Sequence, residues 1–230
     1  MSAENLSLDP ESTIVAVLDL QKGFGADGGG FSKLPKGADD LGPIKAAALE
    51  GTKFALAARD AGAKVQLIKA EYAAGKFTGG KADKALSNLC DPEADNGDCD
   101  YMDELQPLLD ADPSLVDGEI VKHENDATTA PELLALIDSV SARTPDGDVT
   151  LVVTGCTVTT CVEKTFAGVK RERPNVSLVT AKDLIGARAS KYQYSERTSN
   201  VPVDAAYKAM QADGVIVLET ADQVEWVVAS

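Results

Sequence analysis

The run Val149-Thr150-Leu151-Val152-Val153-Thr154-Gly155, followed closely by a cysteine and a helical pattern, constrains the fold more than any other segment. Its β-branched, apolar character reads as a buried strand, and Gly155 breaks the run. From Thr160 through Val162-Glu163-Lys164-Thr165-Phe166-Ala167-Gly168-Val169-Lys170 the spacing predicts a helix, with threonines available as the cap. Cys161 is then expected in the first turn, where the helix dipole and free N–H groups favour a thiolate. A strand, turn and helix presenting a cysteine is a way to mount a nucleophile. The competing reading is a small buried thiol, because free cysteine is among the most buried residue types.

The same alternation recurs along the chain. Strands are expected from Thr13 to the acidic Asp19, at Lys64–Ala70, within Glu119–Asn125, and at Val176–Thr180 and Val215–Leu218. Helices are expected at Pro43–Ala61, with proline near the start and Gly62 at the end, at Pro131–Ala142, and around Val203–Ala212. The first of these has a small inner face of Ala47, Ala48, Gly51, Ala55 and Ala58, suited to close packing on a sheet. Such βα repetition predicts a three-layer α/β/α fold with a mostly parallel six-stranded sheet. One domain over residues 1–230 is expected, with a polar insertion at about 73–118 holding short helices near Asp83–Leu89 and Met102–Leu109. A glycine-rich loop from Gly23 to Gly30 is long enough to cover a site.

In a parallel sheet the carboxyl ends of the strands share one edge, and ligands bind in the crevice outside it. Asp19 ends the first of these strands and Lys122 the third, so both can converge on Cys161. The chemistry of such a trio is coherent. An aspartate can take the thiol proton and return it to a leaving amine, while a lysine holds the carboxylate ionised and favours thiolate formation. The chain here resembles the isochorismatase-like cysteine hydrolases. The matching residues are Asp19-Leu20-Gln21 followed by Phe24, then Lys122 after its strand, then Gly155-Cys156-Thr157-Val158-Thr159-Thr160-Cys161-Val162 with Thr165 beyond.

The resemblance spans roughly residues 13–227 and implies an isochorismatase-like (Rossmann-like) fold. It implies Asp19 as general base and acid, Lys122 as its electrostatic partner and Cys161 as nucleophile. It also implies a non-proline cis peptide at Cys156–Thr157 and an oxyanion hole made by the N–H groups of Thr157 and Cys161. A substrate pocket is expected from Phe24, with Phe31 further along its loop, and from Tyr72, Val158 and Thr159. The expected reaction is hydrolysis of a small-molecule amide or carbamoyl C–N bond through a thioester. The alternatives are an isochorismatase-type vinyl ether hydrolase and a catalytically silent binding or redox-sensing relative.

Zinc-dependent members of the family hold their metal with an aspartate and two histidines. This chain has one histidine, His123, so no metal and no cofactor are expected. His123 itself is expected to be packed or hydrogen-bonded. The formal charge of −15 argues against nucleic acid as a partner, since phosphate binding needs basic surface. The acidic surface and the lack of an arginine cluster also argue mildly against a strongly anionic substrate. No apolar run approaches the roughly 18 residues of a membrane span, and the polar start lacks a secretion signal. A cytoplasmic enzyme is therefore expected, as a homo-oligomer (dimer or tetramer) acting on a small molecule.

Three other patterns are read as coincidence. Gly75–Ala82 resembles a phosphate-binding loop, but Ala82 stands where a hydroxyl should meet magnesium. The acidic stretch from Asp91 lacks the glycine and the final glutamate of a calcium loop. The sequons at Asn5 and Asn175 lack a secretory context. Cys90 and Cys99, flanking that acidic loop, are expected to remain thiols, with a local bridge as the minority alternative.

Overall fold

Alternation along the central strand decides the architecture. In Thr13–Leu18, Val15 and Val17 enter one apolar core while Ile14, Ala16 and Leu18 enter another. A strand apolar on both sides belongs inside a sheet covered on both faces. That is the arrangement seen in the computed structural model, which describes residues 5–77, 84–144 and 146–227.

The strands are β1 (Leu6–Leu8), β2 (Thr13–Leu18), β3 (Lys64–Ala70), β4 (Ile120–Lys122), β5 (Thr150–Cys156), β6 (Ser177–Ala181), β7 (Ile185–Gly186), β8 (Ile216–Leu218) and β9 (Val224–Trp226). The helices are α1 (Lys22–Gly25), α2 (Gly42–Ala61), α3 (Gln106–Ala111), α4 (Ser114–Asp117), α5 (Pro131–Ser141), α6 (Glu163–Glu172) and α7 (Pro202–Ala212). The main sheet runs β4-β3-β2-β5-β6-β8, with β7 alongside β5, and every pairing in it is parallel. It therefore has seven strands rather than six. Ile185–Gly186 is too short to carry a periodic signal. A separate parallel pair, β1 with β9, lies outside the expected strands as well.

One face is covered by α2, whose Phe54, Ala55 and Ala58 pack on Val15, Val17 and Val152. The helix closes on Gly62 at φ 99°, a left-handed cap that glycine adopts without strain. The other face is covered by α5, α6 and α7, through Leu133, Ile137, Phe166, Val169, Val203 and Met210. Burying a side chain of this size is worth roughly 1.5–3 kcal/mol each, which is what holds the layers together.

The 73–118 stretch departs from its reading as a polar excursion. Leu89, Met102, Leu105, Leu108 and Leu115 join the α2 core, so its sparse apolar residues complete that layer. The second short helix is found as a 3-10 turn, Asp103–Leu105, running into α3. The first, near Asp83–Leu89, is replaced by turns over 84–90; Asp83 and the Thr78–Ala82 part of the phosphate-loop look-alike lie outside the described residues. The Gly23–Gly30 loop is also more ordered in form than expected, being framed by α1 and a 3-10 turn at Gly30–Lys33.

Candidate active site

Strand order places the site. β2 has β3 on one side and β5 on the other, with their chains leaving in opposite lateral directions, which opens a crevice beyond the strand ends. Asp19 directly follows β2, Tyr72 follows β3, Lys122 ends β4 and Cys161 follows β5. Strands are about 4.8 Å apart, so from two strands away only a long side chain reaches the Asp19 position. Lysine supplies that length. Lys122 Nζ lies 2.9 Å from Asp19 Oδ2 and 3.6 Å from Cys161 Sγ. Asp19, Lys122 and Cys161 are thus brought together, all nearly or fully buried.

Local conformation aims each of them. Asp19 sits at φ 54°, and its N–H donates to the Ile68 carbonyl at 2.9 Å. Its backbone carbonyl accepts from the Cys156 thiol at 3.1 Å. Gly155, paired with Leu18, has φ 117°, and a Cβ there would strike the Leu18 carbonyl, so only glycine lets β5 pass this point. The Cys156–Thr157 peptide that follows is cis. Cys161 lies in a single π-helical turn, Val158–Val162, that feeds into α6. The expected threonine cap is absent; the Thr157 and Thr160 hydroxyls bond each other instead.

Two further residues complete the cluster. The Tyr72 hydroxyl accepts from Lys122 Nζ at 3.2 Å and donates to Asn125 Oδ1 at 3.2 Å, with Cys161 Sγ 3.7 Å away. Asn125 Oδ1 is 3.9 Å from the same sulfur. Tyr72, expected to line the substrate pocket, is instead buried among the reacting groups. Asn125 was not singled out from sequence, because it follows its strand in a loop with no periodicity to mark it. Lys122 spends a further proton on the Glu124 carbonyl at 3.0 Å.

Electrostatics revise one expectation. Burial, and next the Asp19 carboxylate, push the Cys161 thiol up to about 11, and Lys122 only partly offsets them. The resting nucleophile is a thiol rather than a thiolate. Burial also raises the Asp19 carboxyl, against the pull of Lys122. For Lys122, burial is the largest influence and works against the charge, but Asp19 and Cys161 together outweigh it and hold the ammonium protonated. These pulls differ in sense on the two partners. An ionised pair is the resting arrangement, since a buried ammonium 2.9 Å from a carboxyl would otherwise lack its counter-charge. A raised carboxylate is also the better proton acceptor for the thiol. The thiol adjoins Asp19 electrostatically, yet neither carboxylate oxygen makes a well-formed hydrogen bond.

Gln21 is buried and structural: its Oε1 accepts from Ala70 N at 2.7 Å and its Nε2 donates to Ala70 O at 2.9 Å. It thereby fastens the loop after β2 to the end of β3. His123 is exposed, with Nδ1 2.8 Å from the Glu71 carbonyl, so it is hydrogen-bonded but not packed. Cys90, Cys99, Cys156 and Cys161 are all free thiols. Among the described residues no cluster of three or more His, Cys, Asp or Glu has the geometry to hold a metal.

A cavity of about 390 Å³ adjoins the nucleophile turn, lined by Thr157, Thr159, Thr160, Phe31, Arg188 and Lys191 among others. Thr159, expected at the substrate pocket, lines this cavity. Phe24 does not: it is buried and stacks edge-on against Phe31, their centroids 5.2 Å apart, so Phe31 faces the cavity and Phe24 backs it. Val158 is likewise withdrawn into the core on the α5–α7 side. A larger concavity of about 750 Å³, lined by Asp9, Glu11, Lys64 and Arg143, lies by the amino ends of β2 and β3, away from these groups.

No protein-family model and no curated sequence matches the chain. Solved structures do. N-carbamoylsarcosine amidase from Thermoplasma acidophilum is 14% identical with TM-score 0.58, over 90% of this chain and 95% of that one. PnC1 from L. infantum, in complex with nicotinate, is 16% identical with TM-score 0.63, over 97% and 100%. A putative hydrolase of the isochorismatase family from Chromobacterium violaceum is 16% identical with TM-score 0.58, over 99% and 94%. At these identities the shared property is the arrangement of strands and helices, and the chain has the isochorismatase-like fold.

Proposed function

We propose that the protein is a cysteine-dependent hydrolase of a small-molecule amide or carbamoyl C–N bond. The observation that carries this reading is the buried contact set in which Lys122 Nζ touches both Asp19 Oδ2, at 2.9 Å, and Cys161 Sγ, at 3.6 Å. Neighbours of the same fold include an N-carbamoylsarcosine amidase and a nicotinamidase/pyrazinamidase from Streptococcus mutans, both of which act on C–N bonds.

In the proposed reaction Asp19 accepts the Cys161 proton as sulfur attacks the amide carbon, and Lys122 keeps the developing charges paired. The oxyanion is received by the N–H groups of Thr157 and Cys161. Asp19 then returns its proton to the departing amine as the C–N bond breaks, leaving a thioester. Water, activated by Asp19, cleaves the thioester, giving a carboxylic acid and regenerating the thiol. Amide and water are consumed; acid and amine are formed. The chain uses no metal or cofactor in this scheme.

The test is turnover on a panel of small amides and carbamoyl compounds, read as released amine or ammonia, in wild type and Cys161→Ala. Loss of turnover with retained fold is expected for the variant. Full amide turnover in Cys161→Ala refutes covalent catalysis, while no amide turnover in the wild type favours the vinyl ether hydrolase or the silent relative, which a vinyl ether substrate then separates. Among the described residues no helix is long and apolar enough to cross a membrane. We further propose one domain working as a cytoplasmic homo-oligomer, which light scattering and cell fractionation test.

A further inference from the structure

A thiolate formed at Cys161 is a buried anion, and a buried charge is costly unless donors meet it. Four polar side-chain groups lie within hydrogen-bond reach of the sulfur. They are Lys122 Nζ at 3.6 Å, the Tyr72 hydroxyl at 3.7 Å, and Thr160 Oγ1 and Asn125 Oδ1 at 3.9 Å each. Asn125 Oδ1 only accepts, and the Thr160 hydroxyl is bonded to that of Thr157. Lys122 has three protons. One goes to the Glu124 carbonyl at 3.0 Å and one to the Tyr72 hydroxyl at 3.2 Å. The third is contested by Asp19 Oδ2, at 2.9 Å, and the sulfur. Tyr72 is the donor left over. Its oxygen accepts from Lys122, so its single proton swings between two acceptors, Asn125 Oδ1 at 3.2 Å and Cys161 Sγ.

We propose that Tyr72 is a further catalytic residue, whose hydroxyl donates to Asn125 in the resting site and turns its proton to the Cys161 sulfur as Asp19 takes the thiol proton. This rests on the reading of Cys161 as the nucleophile of a hydrolase. The S–H bond breaks, its proton passes to the Asp19 carboxylate and its electron pair stays on sulfur; Tyr72 keeps its own O–H bond throughout. Once the sulfur has bonded to carbon its charge has moved to the oxyanion, and the hydroxyl returns to Asn125. The ring is fixed, so only the proton moves. The Tyr72 N–H donates to the Cys90 carbonyl at 2.8 Å, and the ring meets Phe77 edge-on with centroids 5.1 Å apart. Lys76 Nζ lies 4.9 Å over the ring centroid and is itself held by Glu124 at 2.7 Å. Burial, and next the Asp19 carboxylate, push ionisation of the phenol far up, so it serves as a donor and not as a base. The Lys122 proton on its oxygen strengthens that donation.

The experiment has a titration arm and a turnover arm. Tyr72→Phe keeps the ring and deletes the hydroxyl, while Asn125→Leu deletes the competing acceptor at similar shape. In the first arm the thiolate absorbance of Cys161 is titrated in an Asp19→Asn background, where no carboxylate opposes the sulfur, after subtracting the matching Cys161→Ser titration. Tyr72→Phe should raise the midpoint by about one pH unit, as loss of a hydrogen bond to a charged group does. Asn125→Leu should lower it, because only the thiol form loses a bond, and should have no effect once Tyr72→Phe is present. A midpoint unmoved or lowered by Tyr72→Phe overturns the proposal, since the hydroxyl then only occupies a Lys122 proton. Equal lowering by Asn125→Leu with and without the Tyr72 hydroxyl also overturns it, because Asn125 then acts on the thiol directly. Should Tyr72→Phe fail to fold, an unmoved midpoint in Asn125→Leu is equally contrary. In the second arm, on small amides and in the otherwise native chain, Tyr72→Phe should lower kcat on the order of tenfold. KM should change little, because Tyr72 does not line the cavity. An undiminished kcat overturns the proposal. Release of no amine from any amide by the wild type counts against the hydrolase reading alone, and the titration still decides what Tyr72 does to the sulfur.

Discussion

Replacing Asp19 by asparagine should separate two quantities that most substitutions move together, the acidity of Cys161 and the rate of turnover. The thiol is held up at about 11 by burial and, next, by the Asp19 carboxylate. Lys122 Nζ, 3.6 Å from the sulfur, pulls the other way. Two unit charges at that separation interact by about 4–5 kcal/mol at an effective dielectric constant of about 20. That is an upper bound of about three pH units on the pull of an unopposed lysine. In Asp19→Asn the shape of the side chain is kept and the opposing carboxylate is gone. The thiolate absorbance of Cys161, obtained by subtracting a Cys161→Ser titration, should therefore have its midpoint lowered by about one to three pH units. Amide turnover should move oppositely, falling on the order of 10²–10⁴-fold, because the proton acceptor and donor has been removed. A midpoint unchanged or raised in Asp19→Asn would show that the carboxylate does not act on the sulfur and would refute the electrostatic account. Lys122→Met is the less informative variant. Without its lysine the buried Asp19 would take up a proton, and the two effects on the thiol would partly cancel.

Gln21→Leu should destabilise the fold by about 2–4 kcal/mol, since both the Ala70 N–H and carbonyl lose their buried partner; urea unfolding measures it, and a neutral result would mean the clamp is dispensable. Burial alone would raise the Asp40 carboxyl, but hydrogen bonds from Ser190 and Arg188 hold it below its ordinary value. Its stabilisation is therefore present above the unfolded value near pH 4 and lost as pH falls through the lower folded value, so the gap between wild type and Asp40→Asn should be wide at pH 7 and close under more acidic conditions. A gap independent of pH would contradict this. Extensive dialysis against a chelator should leave turnover unchanged, and activity restored by added zinc would reveal a site that a single histidine does not foretell. Cys99→Ser should retain turnover, as this half-buried free thiol touches none of the reacting groups.

Much of the scaffold was legible because its signals are local. The apolar runs of β2 and β5, the Pro43 and Gly62 punctuation of α2, and the glycine-broken strand before Cys161 each report on a few neighbouring residues, and side-chain alternation and helix capping act at that range. The same local signals named Asp19, Lys122 and Cys161, since residues that end parallel strands must share one edge. Other features were decided by contacts distant in sequence. Tyr72 and Asn125 meet Cys161 only after three strands have been aligned, and β7, two residues long, exists only because β5 offers it an edge. The apolar residues of 73–118 look sparse until α2 gives them a surface to cover. Tertiary structure also decided the protonation of the nucleophile. The sequence places Cys161 near a helix start and a lysine, which favours thiolate; burial beside a carboxylate outweighs both, because desolvation is a property of the whole packed layer rather than of any segment within it.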